Sequence, residues 1–174
     1  EAQILDGGEK VKVKFPPIAL EDIELNQVGD FQGLARTYHY ALVGVPHVAL
    51  FEADLQNLNH ETLLAQGRAI RYAQDTFPQG TNVNFAQVSD EHNVIIRTYE
   101  RGVEDETLAC GTGSTATAVI AHLLGHAKPP VHMHTRAGIL TIHFEIREDT
   151  IGEVYMEGDA KLVSEGYLLQ DAWD

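Results

Sequence analysis

The segment Thr115–Leu124 constrains the fold more than any other: Ala116, Ala118, Val119, Ile120, Ala121, Leu123 and Leu124 leave no polar face at helical spacing. A helix that is apolar all round must be covered on every side. At one helix length it is too short to span a bilayer, so the cover has to come from protein. Gly125 is placed to stop it. The rest of the chain supplies mainly strands. Lys10–Phe15 alternates Val11, Val13 and Phe15 with lysines, and Pro16-Pro17 ends the run. Arg36–Val45 and Val48–Phe51 read as strands broken by Gly44 and Pro46. Asn82–Val88 and Asn93–Glu100 read as a hairpin, with Val94, Ile96, Thr98 and Glu100 on one side of the second strand. Val131–Arg136 and Ile139–Ile146 form another around Ala137-Gly138, and Ile151–Glu157 and Ala160–Glu165 read as two last strands. A second helix is expected over His60–Tyr72 with Asn59 as its cap. The fold class that follows is α+β: a curved, mostly antiparallel sheet wrapped round a central apolar helix.

Composition narrows the partners. A chain of 174 residues fits one medium domain, or one and part of a second. The formal net charge of −14 argues against nucleic acid and anionic membranes as general partners, and no signal peptide opens the chain. A single Cys excludes an internal disulfide and fits a reducing, cytoplasmic setting. The ends, Glu1–Glu9 and Gly166–Asp174, are the segments least expected to be ordered.

The candidate chemistry sits immediately before the apolar helix, in Thr107-Leu-Ala-Cys-Gly-Thr-Gly-Ser114. Free N–H groups and the dipole at a helix start favour an anion, and a thiol there ionises more easily. The same run also reads as a small buried hydrophobe before a glycine turn. Metal ligation is an alternative for His132, His134 and His143, or for His122 and His126. It lacks an HExxH pattern, and Cys110 has no Cys-x-x-Cys partner, so no metal is expected.

Asn82-Val-Asn-Phe85, Tyr99-Glu-Arg-Gly102 and Glu106-Thr-Leu-Ala-Cys-Gly-Thr-Gly113, in that order, resemble the C-terminal half of the diaminopimelate epimerases, and Gly44-Val-Pro-His47 fits that family's Gly-Asn-Pro-His element. The match runs from about Lys10 to about Tyr167. The resemblance implies a cofactor-free enzyme of lysine and peptidoglycan synthesis, interconverting LL- and meso-diaminopimelate, with two similar domains and the site in the cleft between them. Inversion at a carbon needs an acid on one face and a base on the other; the family uses two thiols, one from each domain. With no electron sink, dipoles aimed at the substrate carboxylate must stabilise the carbanion.

Carried over, Cys110 is a catalytic thiol, and Gly111, Thr112 and Gly113 offer N–H groups to the α-carboxylate. Glu100 meets the α-ammonium, and Arg101 grips the distal carboxylate, which suits a planar guanidinium. Asn82 contacts substrate, and His47, as a neutral imidazole, helps to ionise a thiol. Glu100 and Arg101 are adjacent, so both can enter one site only at a strand end or bulge.

Three departures stand out. The N-terminal half and its cysteine are absent from these residues, so the chain is expected to be a fragment, inactive alone. Residues 1–9 and 167–174 would pack on the missing N-terminal domain, with Leu168, Leu169 and Trp173 as apolar groups seeking a partner. Val45 replaces the family's asparagine, and Gly102–Glu106 is one residue longer than the family's usual form. The partners implied are a small-molecule amino-acid substrate and the missing domain, with a homodimer also open. A proline racemase, a hydroxyproline epimerase or a phenazine-type isomerase of the same superfamily is the nearest rival, and a non-catalytic amino-acid-binding module is another.

Overall fold

The computed structural model describes residues 1–148, 150–167 and 169. In chain order the strands are β1 (Ala2–Leu5), β2 (Lys10–Lys14), β3 (Ile18–Ala19), β4 (Ile23–Phe31), β5 (Leu34–Val43) and β6 (Val45–Phe51). Helix α1 (His60–Arg71) follows, then β7 (Asn82–Val88), β8 (Asn93–Glu100) and β9 (Asp105–Thr107). Helix α2 (Gly111–Leu123) leads to β10 (Val131–Thr135), β11 (Gly138–Arg147) and β12 (Thr150–Asp159). The strands form one mixed sheet in the order β1-β2-β12-β11-β10-β8-β7-β6-β5-β4, with β3 added to β12 and β9 to β8. The expected α+β class holds.

Two strand pairs are parallel, β6 with β7 and β8 with β10. A parallel pair needs a crossover, and here the crossovers contain α1 and α2 respectively. The strands of the second pair run opposite to those of the first, because β7 and β8 are antiparallel. The sheet order continues in one direction through both. Crossovers of one hand must therefore lie on opposite faces of the sheet, and they do. Alternation along β7 records it: Val83 and Phe85 join the core under α1, whereas Ala86 joins the core around α2.

Every residue of α2 from Gly113 to Ala121 is buried. Its cover comes from Ala41, Val43 and Ala49 on one side and Val94, Val131, Met133, Ile142, Ile151 and Val154 on the other. The other helix is amphipathic and rests Leu63 and Ile70 on Leu50, Val83, Phe85 and Tyr99. Asn59 caps it, its Oδ1 accepting the Thr62 N–H at 2.8 Å. A Cβ on Gly67 would lie 2.6 Å from Tyr99, whose ring is buried. Alanine there is expected to lower stability. Overpacking costs about 1–3 kcal/mol, and the gain in helix propensity offsets only about 1 kcal/mol. A urea titration should show a lower midpoint with an unchanged slope.

Several sequence expectations need correction. The long edge strand β4 was not expected: Ile23, Leu25 and Phe31 keep the alternation, but Gln27 and Gly29 dilute it. Residues 2–5, within a terminal segment least expected to be ordered, form a strand on β2. Of the two strands expected at the end, Ile151–Glu157 lies within β12, whereas Ala160–Glu165 is not a strand, since 160–167 carries no regular structure. Leu169 is exposed, as expected, while Leu168 and Trp173 lie outside the described residues. Among the described residues no helix is long and apolar enough to cross a membrane.

Candidate active site at the start of the central helix

The helix was expected to begin at Thr115, and it begins at Gly111. Gly-Thr-Gly has poor helix propensity, which hides the start in the sequence. Burial between sheet walls overrides that preference. The Ser114 N–H donates to the Cys110 carbonyl at 2.8 Å, and the Thr115 hydroxyl to the Gly111 carbonyl at 2.9 Å. Cys110 is therefore the extended residue at the cap, and Gly111, Thr112 and Gly113 are the first turn. Their N–H groups are the ones a helix cannot pair internally.

The sheet brings the other candidates to the same end. His47 lies opposite Asn82 in the parallel β6–β7 pair, and Asn84 lies opposite Thr98 in β7–β8. Period-two alternation puts Asn82, Asn84, Thr98 and Glu100 on the α2 face. A Cβ on Gly113 would sit 2.4 Å from Asn84 Oδ1 and 3.2 Å from Cys110 Sγ, so amide and thiol both crowd the first turn. Cys110 Sγ also lies 3.6 Å from Thr112 Oγ1.

The Glu-Arg pair meets its condition, since β8 ends at Glu100 and a turn starts at Arg101. Glu100 accepts the Thr107 hydroxyl at 2.8 Å. Asn82 Oδ1 accepts the Arg101 backbone N–H at 2.8 Å, and its Nδ2 donates to the Pro46 carbonyl at 3.3 Å. The Arg101 guanidinium donates to the Gln79 carbonyl at 2.8 Å. Asn82 thus joins the approach to His47 and the end of β8 through its one amide. Val45, at the start of β6, is half-buried after the left-handed Gly44.

Two ionisation states matter. A thiol at a helix start was expected to ionise readily, but Cys110 is pushed the other way. Burial raises its pKa, helped by the Glu100 charge, and outweighs hydrogen bonds from Thr112 and from the Gly113 and Thr112 N–H groups. His47 is fully buried, and that burial, then the charge of Arg101, lowers its pKa to about 3.

The extra acidic residues before the cysteine turn away from this site. Glu104 pairs with Arg71 at 3.1 Å and accepts the Tyr99 hydroxyl. Glu106 accepts two bonds from Arg97, at 2.7 and 2.8 Å, and meets His60 and Arg136. They tie the loop to α1 on the opposite face. A groove of about 990 Å³ lies over this ion cluster, and its lining does not include Cys110. The histidines considered as ligands have other partners: His132 with Thr141, His134 with Asn93, His143 with Glu157, His122 with the Ala127 carbonyl and His126 against Phe51.

Sequence reading missed Asn84, the fully buried amide between Cys110 and His47. The signal was present: it is two residues from Asn82, so it shares its face, and a polar residue midway along a buried strand needs a reason.

Comparison with known proteins places the chain in a family. The family model for diaminopimelate epimerase matches residues 39–163. The diaminopimelate epimerase of Aquifex aeolicus is 40% identical over 98% of this chain and 59% of its own length. That of Archaeoglobus fulgidus is 48% identical over 74% of this chain and 42% of its own. The chain thus spans about three fifths or less of these relatives. Among solved structures, a probable proline racemase from Agrobacterium radiobacter K84 superposes with a TM-score of 0.69 at 17% identity, over 99% of this chain and 61% of that one. A hydroxyproline epimerase from Agrobacterium vitis gives 0.67 at 18%, over 91% and 52%. At those identities the likeness is one of fold. A family model matched over most of the chain, and relatives aligned along nearly all of it, make this chain a member of the diaminopimelate epimerase family.

Proposed function

We propose that the chain supplies one catalytic face of a cofactor-independent epimerase that interconverts LL- and meso-diaminopimelate, and that it is the C-terminal domain of that two-domain enzyme. The observation that carries the reading is the convergence of a lone thiol, a helix start and a Glu-Arg pair at one end of the sheet. The α-carboxylate binds the N–H groups of Gly111, Thr112 and Gly113, where helix dipole and donors favour an anion. Glu100 takes the α-ammonium, Arg101 the distal carboxylate, and Asn82 holds the ends of both strands that approach the substrate.

In the forward step a thiolate on the opposite face removes the α-proton. The carbanion's charge spreads into the carboxylate held at α2, and the Cys110 thiol delivers its proton from this side. The centre is inverted, one thiol is exchanged for the other, and no atom is gained or lost. The raised pKa of Cys110 suits it to rest as the protonated partner. Its sequence holds one cysteine, so the opposing thiol comes from outside the chain, and the chain alone does not epimerise.

Ile4, Leu162, Val163 and Tyr167 are largely exposed apolar side chains near the two termini. They pack on the N-terminal domain in this reading, together with the rest of residues 1–9. A homodimer of the whole enzyme and a cytoplasmic location belong to the same proposal.

The test is a competition assay on protein that contains this chain together with an N-terminal half. Conversion of LL- to meso-diaminopimelate, unaffected by proline or glutamate, supports the reading. Turnover of proline instead would assign the chain to the racemase side of the superfamily. Replacing Cys110 by alanine in that protein is expected to lower kcat by at least about 10³-fold, in the range seen when an acid–base group is removed.

A further inference from the structure

We infer that Asn84 is a positioning residue that fixes His47 as the Nε2–H tautomer, so that the imidazole donates a hydrogen bond from its buried Nε2 and does not serve there as a base. The tautomer rests on hydrogen bonds alone; what the donor does in catalysis rests on the function proposed above.

The chain of contacts is unambiguous in its donors. The Asn84 amide nitrogen lies 2.9 Å from the Val48 carbonyl, which can only accept. That fixes which end of the amide is nitrogen. The amide oxygen, at the other end, accepts the Thr98 hydroxyl at 2.9 Å. The second hydrogen on the Asn84 nitrogen is left for His47 Nδ1, 3.4 Å away. To accept it, Nδ1 must present its lone pair, and in a neutral ring the proton then sits on Nε2. The low pKa described above keeps the ring neutral near neutral pH.

Nε2 is buried and has no partner among the described residues. An N–H donor held in that state is costly unless an acceptor arrives. Asn84 also abuts the turn that holds Cys110, since the missing Cβ of Gly113 would touch both. His47, Asn84, Gly113 and Cys110 are thus one contiguous cluster. In the function proposed above the acceptor is a carboxylate oxygen bound at the start of α2, with the His47 N–H joining the helix N–H groups in holding the charge that grows there during proton transfer. His47 then does not ionise Cys110 through Nε2, because that nitrogen already carries a proton.

The test labels the histidine rings of the chain with 15N and reads His47 through long-range 1H–15N correlations, which separate the two tautomers and the imidazolium. The Nε2–H pattern is expected. An Nδ1–H pattern, or a charged ring at neutral pH, overturns the inference. Asn84→Asp puts an acceptor beside Nδ1 and is expected to move the ring to Nδ1–H or to the charged form. An unchanged ring pattern in a folded Asn84→Asp variant would remove Asn84 from the positioning role. If that variant does not fold, the unmutated chain still decides the tautomer.

The second arm is kinetic, in protein with both halves. His47→Gln places an amide N–H near the Nε2 position, whereas His47→Ala leaves nothing. A donor role predicts a kcat loss of about 10²–10³ for His47→Ala and recovery of most of it in His47→Gln. Equal losses in both variants would contradict the donor role. If unmutated protein fails to turn over diaminopimelate, the proposed function falls, and the ring spectrum still judges the tautomer.

Discussion

An alanine at Gly113 is expected to lower turnover in the whole enzyme by about 10²-fold or more and to destabilise the chain by about 1–3 kcal/mol, as overpacking does in buried sites. The new methyl would sit 2.4 Å from Asn84 Oδ1 and 3.2 Å from Cys110 Sγ. Neither neighbour can yield cheaply. Asn84 is fully buried and hydrogen-bonded to Thr98 and Val48, and Cys110 is 8% exposed. Relief therefore comes by moving the first turn of α2, which displaces the N–H groups assigned to the carboxylate. Misplacement by about 1 Å costs about 10²-fold in rate, and the methyl also occupies space beside the thiol. Urea unfolding measures the stability change, and a steady-state assay measures the rate. A Gly113→Ala protein with unchanged kcat would show that the first turn holds no substrate group.

The second large effect is structural. Replacing Glu106 by alanine is expected to cost about 1.5–3 kcal/mol, because it removes two charge-assisted hydrogen bonds from the partly buried Arg97 guanidinium. The Glu106 side chain is fully enclosed. Burial alone would raise its pKa, but hydrogen bonds from Arg97 and His60, with the charges of Arg97 and Arg136, bring it below the ordinary glutamate value. A carboxyl with a depressed folded pKa contributes stability that is present above the unfolded value of about 4.3. That contribution is lost as pH falls through the lower, folded value. The unmutated chain should therefore lose stability below about pH 4 more steeply than Glu106→Gln. Urea midpoints measured at pH 7 and in acid check both statements, and parallel acid profiles for the two proteins would contradict them.

Much of the candidate site was legible because it is local in sequence. Cys110 and the three residues after it are adjacent, and adjacency survives any fold. Glu100 and Arg101 were legible as a pair but not as a geometry, since the strand end that frees both to face one place depends on where β8 stops pairing. The central helix was readable from composition, since no other arrangement hides Ala116–Ala121 from water. Its true start was not, because two glycines and a threonine have little intrinsic preference for helix. The edge strand β4 went unseen because the face it buries includes Gln27 and Gly29. Asn84 was overlooked because its partners, Val48, Thr98 and the His47 ring, lie on neighbouring strands, and strand neighbours cannot be read from one segment. The ionisation of Cys110 shows a different limit. Helix position points toward an easier proton loss, and burial with the Glu100 charge points against it; only the packed structure says which is larger.

In the proposed function α2 presents an anion-binding first turn to a diaminopimelate carboxylate, beside the single thiol. Titrating the 15N-labelled chain with meso-diaminopimelate, and following its amide resonances, tests this directly. Saturable shifts centred on Gly111, Thr112 and Gly113 are expected, with weaker ones at Asn82 and Arg101. Shifts centred instead on the groove around Arg97 and Arg136, or none at any attainable ligand concentration, would contradict it.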